Sequence, residues 1–195
     1  INAYLAAAKS GDPEKLVNAY DRLPKNIRTN SLLMLSQVQN SKQISDDAYK
    51  ATLEKLAPLY HENDNYALML VDYYLYTEDY PKAHKALDTI SRKIGGDAGL
   101  DSLHAGIDLA DGNYKRAIAF ARDGIRKESA YEDNYWVLLD ALVYSRNYSD
   151  AVLVLNILEE GFGYQFDMQK LATLDGYQDF ARSSEFKGWR TASSY

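Results

Sequence analysis

The chain has 195 residues, of which 46% are hydrophobic and 26% are charged, as in an ordinary water-soluble globular protein of one compact unit. A net charge of -6 argues against a general nucleic-acid binder, which would carry clustered basic residues. No apolar run approaches the roughly 18 residues that cross a bilayer, so no membrane span is predicted.

The start of the chain and its lack of cysteine bear on the cellular compartment. The first residue is Ile1 rather than methionine, and the sequence contains no cysteine. Disulfides and thiol chemistry are therefore excluded, although a chain without cysteine fits an exported protein as well as a cytosolic one. We expect a bacterial exported (periplasmic) protein whose leader has been removed, with the cytoplasm as the alternative.

Residues that start and stop helices divide the chain into short segments. Asp12 precedes Pro13, which is typical of a helix start, and Tyr80-Pro81 repeats that use of proline. Gly112 and similar glycines predict helix ends, as does Pro58 with the "HENDN" run that follows it. The predicted helix pairs are 2–10 with 13–23, 27–40 with 46–60, 63–77 with 80–94, 97–111 with 114–127, and 131–146 with 148–160.

A short motif recurs at a fixed spacing in the second helices of the last three pairs. The segments are "TEDYPKAHKALDTI", "DGNYKRAIAFARDGI" and "SRNYSDAVLVLNIL". Each has a tyrosine followed three positions later by an alanine, and the three tyrosines are equally spaced along the chain. A methyl group fits where two helices cross closely, and the ring fills the gap at the turn. The pairs are Tyr80 with Ala83, Tyr114 with Ala117, and Tyr148 with Ala151.

The 34-residue period of this motif and the apolar first helices "YALMLVDYYLY" and "NYWVLLDALVY" resemble tetratricopeptide repeats. The resemblance implies an all-α fold, a right-handed α-solenoid of about five antiparallel helix pairs, over residues 1–161. Two degenerate repeats come first, and three clearer ones follow at about 63–160. The fourth repeat departs from the family pattern at His104, Gly106 and Asp108, and we expect its first helix to be the loosest.

The last part of the chain, residues 162–195, breaks the period but keeps bulky apolar residues. It resembles the C-terminal segments that cap such arrays by covering the last apolar face. The alternative is that this aromatic segment is a docking peptide for another protein. The bulky residues are Phe166, Leu171, Leu174, Tyr177, Phe180, Phe186 and Trp189.

The sequence contains none of the spacings that mark a catalytic, metal or nucleotide site. The histidines His61, His84 and His104 lie in different repeats, without a paired histidine or acidic residue at metal-ligand spacing. We therefore predict a protein that is not an enzyme and that uses no cofactor or metal. A group of basic residues on one predicted helix favours a solvated convex face over a polyanion site. These residues are Lys115, Arg116, Arg122, Arg126 and Lys127.

The resemblance places the first helix of each pair on the concave side of the array, and this side is the predicted binding surface. Its aromatic and acidic character indicates a protein or peptide partner carrying basic, or mixed basic and apolar, residues. The lysine pattern with which some family members grip a terminal carboxylate is absent. The predicted residues are Asn65, Leu68, Asp72, Leu75, Tyr76, Ser102, Gly106, Leu109, Asp133, Trp136, Asp140, Val143 and Tyr144.

These observations leave several interpretations open. The leading hypothesis is a non-enzymatic scaffold that binds a partner on the concave face. The alternative is a helical accessory or substrate-recruiting region of a larger enzyme whose catalytic part lies upstream, and a third hypothesis is self-association through the N-terminal repeat. At the level of single residues, Trp136 and Tyr76 could instead pack between neighbouring helices.

Overall fold

The computed structural model describes residues 1–61 and 67–192, and every regular element in these ranges is a helix, which confirms the predicted all-α fold. None of the described helices is both long and apolar enough to cross a membrane. The helices are α1 (Asn2–Ser10), α2 (Pro13–Tyr20), α3 (Lys25–Arg28), α4 (Ser31–Ile44), α5 (Asp46–His61), α6 (Ala67–Tyr76), α7 (Tyr80–Ile94), α8 (Ala98–Ala110), α9 (Tyr114–Lys127), α10 (Asp133–Tyr144), α11 (Tyr148–Phe162), α12 (Met168–Thr173), α13 (Gln178–Arg182) and α14 (Ser184–Ala192).

The chain forms two compact units, Ile1–Ile90 and Ser91–Tyr195, and the boundary falls inside α7. In the first unit α1 packs on α2, α2 and α3 pack on α4, α4 packs on α5, and α5 packs on α6. These contacts join helices that are close in sequence, as in a stack of helix pairs. The core of this unit consists of Tyr20, Leu23, Met34, Val38, Leu53 and Leu56.

In the second unit the first helices of two successive pairs, α8 and α10, pack on each other. Helix α8 packs on both α9 and α10, α10 packs on α9 and α11, and α14 packs on α11. This order of contacts is what a stack of antiparallel helix pairs produces, because each new pair covers the open side of the one before it. The helices of the last segment also pack on one another, α12 on α13 and α13 on α14.

The helix boundaries follow local capping chemistry. Oδ1 of Asp12 accepts hydrogen bonds from the backbone N–H groups of Glu14 and Lys15 at 3.1 and 3.3 Å, as the Asp-Pro sequence predicts. The predicted helix 27–40 is divided instead, because Asn30 caps α4 in the same way. Pro58 lies in the last turn of α5, which ends at His61, one residue beyond the predicted end at residue 60.

The turn between the two helices of a pair has the same geometry in the three clear repeats. Its central residue is in the left-handed region, at Glu78 (φ 55°), Gly112 (φ 73°) and Arg146 (φ 61°). The next residue donates its backbone N–H to a carbonyl five positions earlier, as in a Schellman helix end. These bonds run from Asp79 to Tyr74 (2.8 Å), from Asn113 to Asp108 (2.7 Å) and from Asn147 to Leu142 (2.8 Å). The turn geometry and its hydrogen bond therefore repeat with the same period as the tyrosine and alanine side chains of the motif.

The alanines of the repeated motif are fully buried. Ala83, Ala117 and Ala151 each have 0% of their surface exposed. The tyrosine that precedes each of them is the first residue of α7, α9 or α11. A methyl group at a closed crossing and a ring at the helix start agree with a packing role for the motif.

Helix α8 is not loose, contrary to expectation. It buries eight of its residues, among them the polar residues His104 and Asp108. The His104 ring stacks on Phe120 at a centroid distance of 4.8 Å, and Asp108 lies 3.5 Å from Nε of Arg116. The polar side chains therefore find partners on α9, which explains how they are tolerated in a packed helix.

A close contact joins α9 to α10. Asn134 is fully buried, and its amide nitrogen donates to the carbonyl of Ala98 at 3.0 Å. Gly124 lies against it so closely that a Cβ there would come within 2.6 Å of Cγ of Asn134. Only glycine fits at this crossing while the asparagine keeps its position.

The C-terminal segment covers the last helix pair. Five of its apolar residues are buried in the core that α10 and α11 help to form, and Nε1 of Trp189 donates to Oδ1 of Asn156 on α11 at 2.6 Å. The structure favours a cap over a free docking peptide, because these rings are occupied within the chain. The five residues are Leu171, Tyr177, Phe180, Phe186 and Trp189.

The first testable prediction concerns the closed crossing at Ala117. Leucine there adds three carbon atoms where no space remains, and we expect Ala117→Leu to lower the free energy of unfolding by about 1–3 kcal/mol. Lys115→Ala, two positions away on an exposed site, should change it little. Urea denaturation followed by circular dichroism measures both variants, and equal midpoints would contradict the assigned crossing.

The second prediction concerns the repeated turn. A non-glycine residue in the left-handed region costs about 1–2 kcal/mol. A glycine avoids this strain but loses more backbone entropy on folding, which costs about 0.5–1 kcal/mol. We therefore expect Glu78→Gly to raise the free energy of unfolding by about 0.5–1 kcal/mol and Gly112→Ala to lower it by about 1 kcal/mol. Both effects are measurable by urea denaturation. A loss of stability in Glu78→Gly would show that the turn does not strain this residue.

Candidate binding surface

The predicted binding residues occupy equivalent positions one turn apart on the first helices of the repeats. Leu68, Asp72 and Tyr76 follow one another at every fourth position along α6, and Trp136, Asp140 and Tyr144 follow at the same spacing along α10, two periods later. Residues four apart lie on one face of a helix. The two helices therefore present the same order of residue types: a large apolar residue, an aspartate and a tyrosine.

In the first unit this face is open to solvent. Leu68 has 55% of its surface exposed and Tyr76 has 37%, and Asp72 between them is also exposed. Asn65, the first predicted residue of the face, lies outside the described residues. An exposed leucine and tyrosine on either side of an aspartate form an amphipathic strip on which a partner could lie.

Three residues that the sequence analysis did not select complete this part of the surface. Tyr49 of α5 contacts the Tyr76 ring edge to face at 5.8 Å. Lys42 lies over the Tyr49 ring at 5.5 Å, and Lys50 lies over the Tyr76 ring at 6.0 Å. These are cation–π contacts, which hold the lysines against the rings. The three residues belong to α4 and α5 rather than to α6, so no local pattern in the sequence marks them.

Asp72 lies in an environment that disfavours its charge. Desolvation by the surrounding side chains raises the pKa of its carboxyl, and the positive charge of Lys42 acts in the opposite direction. The residue nevertheless keeps an exposed edge. A cationic group from a partner would stabilise the charge of this poorly solvated carboxylate. The position is therefore suited to recognise a basic residue.

In the second unit, α8 contributes less than predicted. Ser102 has only 7% of its surface exposed, so it is not accessible to a partner. Helix α8 packs on both α9 and α10, and this two-sided packing buries most of its circumference. Its exposed apolar residue is Leu103 instead, with 41% of its surface accessible.

Helix α10 keeps an exposed Asp133 at its start, but the C-terminal cap contacts the residues that follow. Trp136 packs edge to face on Tyr164 at 4.9 Å and on Phe166 at 6.0 Å. It is half-buried as a result. Val143 is buried and leaves the predicted surface. The sequence predicts that Trp136 either binds a partner or packs within the fold. These ring contacts are packing within the fold.

Asp140 and Tyr144 also contact the cap. Oδ1 of Asp140 accepts a hydrogen bond from the hydroxyl of Tyr177 at 2.5 Å. The Tyr144 hydroxyl donates to the carbonyl of Asp175 at 3.3 Å, and its ring lies over Gly176, where any Cβ would collide with it. Tyr144 stacks on Tyr114 as well, at 5.8 Å, and still exposes 38% of its surface.

Burial dominates the ionisation of the Asp140–Tyr177 pair. It raises the pKa of Asp140, and the hydrogen bond from Tyr177 opposes that rise. Burial also raises the pKa of the Tyr177 hydroxyl, and the negative charge of the nearby Asp140 carboxylate raises it further. The tyrosine therefore stays protonated and remains a hydrogen-bond donor to the carboxyl.

Four of the five basic residues of α9 lie beside acidic neighbours. Arg122 contacts Asp150 at 2.6 Å, Lys127 contacts Asp101 at 2.6 Å, and Arg126 pairs with Asp123. Arg116 faces the buried Asp108, as described above. Paired charges of this kind produce little net positive potential, so this arrangement favours the solvated-face interpretation over a polyanion site.

Within residues 1–61 and 67–192, no group of three or more histidine or acidic side chains is arranged to hold a metal ion. Of the three histidines, His104 is engaged in stacking on Phe120. The predicted surface carries carboxyl groups, aromatic rings and apolar side chains. Such groups can bind a partner's side chain through ion pairs and apolar contacts.

A scan of the chain against protein-family models found no match, and a search of curated proteins found no similar chain. The resemblance to tetratricopeptide repeats therefore depends on the residues and local geometry of this chain.

The third prediction concerns the carboxyl of Asp140. Because its folded pKa is raised above the ordinary value of 3.8, its contribution to stability is fully present below that value and is lost as the pH rises through the folded pKa. Asparagine keeps an oxygen that can accept from Tyr177 but has no charge to bury. We expect Asp140→Asn to raise the melting temperature at about pH 7, and this gain to disappear near pH 3.

The matched control is Asp133→Asn on the exposed first turn of the same helix. It should give no gain at either pH, because an exposed carboxylate at a helix N-terminus is already well solvated and favourably placed. Thermal melts of both variants across the pH range make the comparison. A lower melting temperature for Asp140→Asn at neutral pH would show that the charged form stabilises the fold.

Proposed function

We propose that this chain is a non-enzymatic scaffold of tetratricopeptide-like helix pairs that binds a protein or peptide through the exposed face of α6. The observation that carries the proposal is the exposure of Leu68, Asp72 and Tyr76 on three successive positions of one face of this helix. An otherwise apolar helix would normally bury such residues. Their exposure together, with a carboxyl at the centre, is typical of a surface that a partner covers.

The repeat architecture supports this proposal. The left-handed turn residue, the hydrogen bond across the turn and the buried alanine all recur with the same period. Arrays of helix pairs expose extended faces rather than deep clefts, and such faces are used to bind partners. A right-handed solenoid is the arrangement we expect from this period.

The chemistry of the α6 face specifies the partner further. Asp72 favours a basic group, and the rings of Tyr49 and Tyr76 offer apolar area beside it. Lys42 and Lys50 lie over those rings and would repel a strongly basic segment. We therefore infer a partner segment with one lysine or arginine flanked by apolar residues, rather than a polybasic one.

The face of α10, taken by itself, is less accessible than that of α6. Asp133 and Tyr144 are exposed, and the half-buried Trp136 keeps an accessible edge beside the cap. Because the remaining surface of Trp136 and Tyr144 contacts the cap, we do not assign a binding role to these residues.

The fourth prediction tests the α6 face by selecting binders from a random peptide library. We expect the selected peptides to carry a single basic residue among apolar ones. Leu68→Ala should weaken their binding by about tenfold, which corresponds to about 1.4 kcal/mol for the loss of a central apolar anchor. Asp72→Asn should weaken it mainly at low salt, because a partly exposed charge is screened as ionic strength rises.

Leu153→Ala is the matched control, since Leu153 is an equally exposed leucine on α11, a second helix of a pair. It should leave the affinity unchanged. Each variant is first checked for unchanged helical circular dichroism and then measured by isothermal titration calorimetry. Selection of acidic peptides, or equal effects of the α6 and α11 variants, would count against the proposed face.

A further inference from the structure

A cavity of about 190 Å³ lies in the first unit, between the end of α2, the short helix α3 and the last turns of α5. Its apolar lining consists of Tyr20, Leu56, Pro58 and Leu59. The position of Tyr20 is fixed, because it is almost fully buried and its hydroxyl donates to the carbonyl of Arg28 at 2.5 Å. This hydrogen bond holds α3 against α2, so the apolar lining is built into the fold.

The lining also includes three cationic residues, Lys25, Arg28 and Lys55. They come from α3 and α5, and the packing of these segments around Tyr20 brings them to one opening. Asp21 pairs with Lys55 and offsets one of the three charges. The cavity thus keeps an excess of positive charge in a chain whose net charge is -6.

Arg28 provides a second observation at this cavity. Its Nε is buried and makes no hydrogen bond to the described residues. A buried donor without an acceptor costs free energy, and such groups are rare in folded proteins. The guanidinium is also the group that matches a carboxylate best, because its parallel N–H groups can bind both oxygens.

We propose that this cavity binds a small organic carboxylate whose apolar part is about the size of a phenyl ring. The carboxylate would accept from the guanidinium of Arg28 and lie between the ammonium groups of Lys25 and Lys55. The ring would fill the space beside Tyr20 and Leu59. A cavity of about 150 Å³ is known to hold benzene, so the available volume suits a group of this size.

The site is separate from the α6 face and uses none of its residues. Its occupation would stabilise the junction of α2, α3 and α5, because a ligand that binds only the folded state raises the stability of that state. The two proposals can therefore fail independently.

The experiment titrates the full chain with 3-phenylpropionate and follows it by calorimetry and by backbone amide NMR shifts. We expect saturable binding, with the largest shifts around Arg28 and Leu59. The matched probes 3-phenylpropanol and 3-phenylpropylamine keep the ring but lack the negative charge, and they should bind at least about tenfold more weakly, since a charge-assisted hydrogen bond is lost. Inorganic phosphate, which lacks the apolar part, should also bind more weakly.

Two variants of Arg28 separate charge from geometry. Arg28→Gln removes the charge and should weaken binding by about tenfold or more. Arg28→Lys keeps the charge without the planar pair of donors and should fall between that variant and the wild type. The control Lys9→Ala removes one positive charge from an exposed position of α1 that does not line the cavity, and it should leave the affinity unchanged.

Several results would overturn the proposal. Equal binding of 3-phenylpropanol would show an apolar cavity without a role for charge, and tighter binding of phosphate would show a simple anion cluster. Absence of saturable binding, shifts confined to residues away from α3, or an unchanged affinity in Arg28→Gln would each exclude a carboxylate at this position.

Discussion

The close crossing of the two helices in each pair is the constraint on which the fold depends. Ala83, Ala117 and Ala151 have no exposed surface, and the helices that carry Ala117 and Ala151 pack on the first helices of their pairs, α9 on α8 and α11 on α10. Each crossing is joined to its turn by a residue in the left-handed region and by one short backbone hydrogen bond. The turn sets where the second helix starts, and the alanine sets how near it lies. Together these two conditions position the second helix of a pair against the first.

The same order of residues has different environments on α6 and α10. Leu68, Asp72 and Tyr76 remain exposed, whereas Trp136 and Asp140 contact the cap through Tyr164 and Tyr177. A terminal repeat must cover its open apolar side, and here the cover reaches the first helix of the last pair. Position in the array, rather than residue type, therefore decides which copy of the pattern is accessible.

Features governed by local chemistry were predictable from the sequence. The cap at Asp12, the period of the motif and the limits of α9 and α11 depend on residues that are neighbours in the chain. The burial of Ser102 was not predictable, because it depends on how completely α9 and α10 enclose α8. The cations of the α3 cavity were equally hidden, since Lys25 and Lys55 are far apart in the sequence and belong to no periodic pattern.

The contact between Gly124 and Asn134 limits how this sequence can change over time. The asparagine side chain occupies the space in which any Cβ at position 124 would lie, and its amide nitrogen also holds the carbonyl of Ala98. A substitution at position 124 alone would force the amide out of its site and leave that carbonyl without its donor. The two positions should therefore evolve as a pair, with a larger residue at 124 accepted only in lineages that already carry a smaller one at 134.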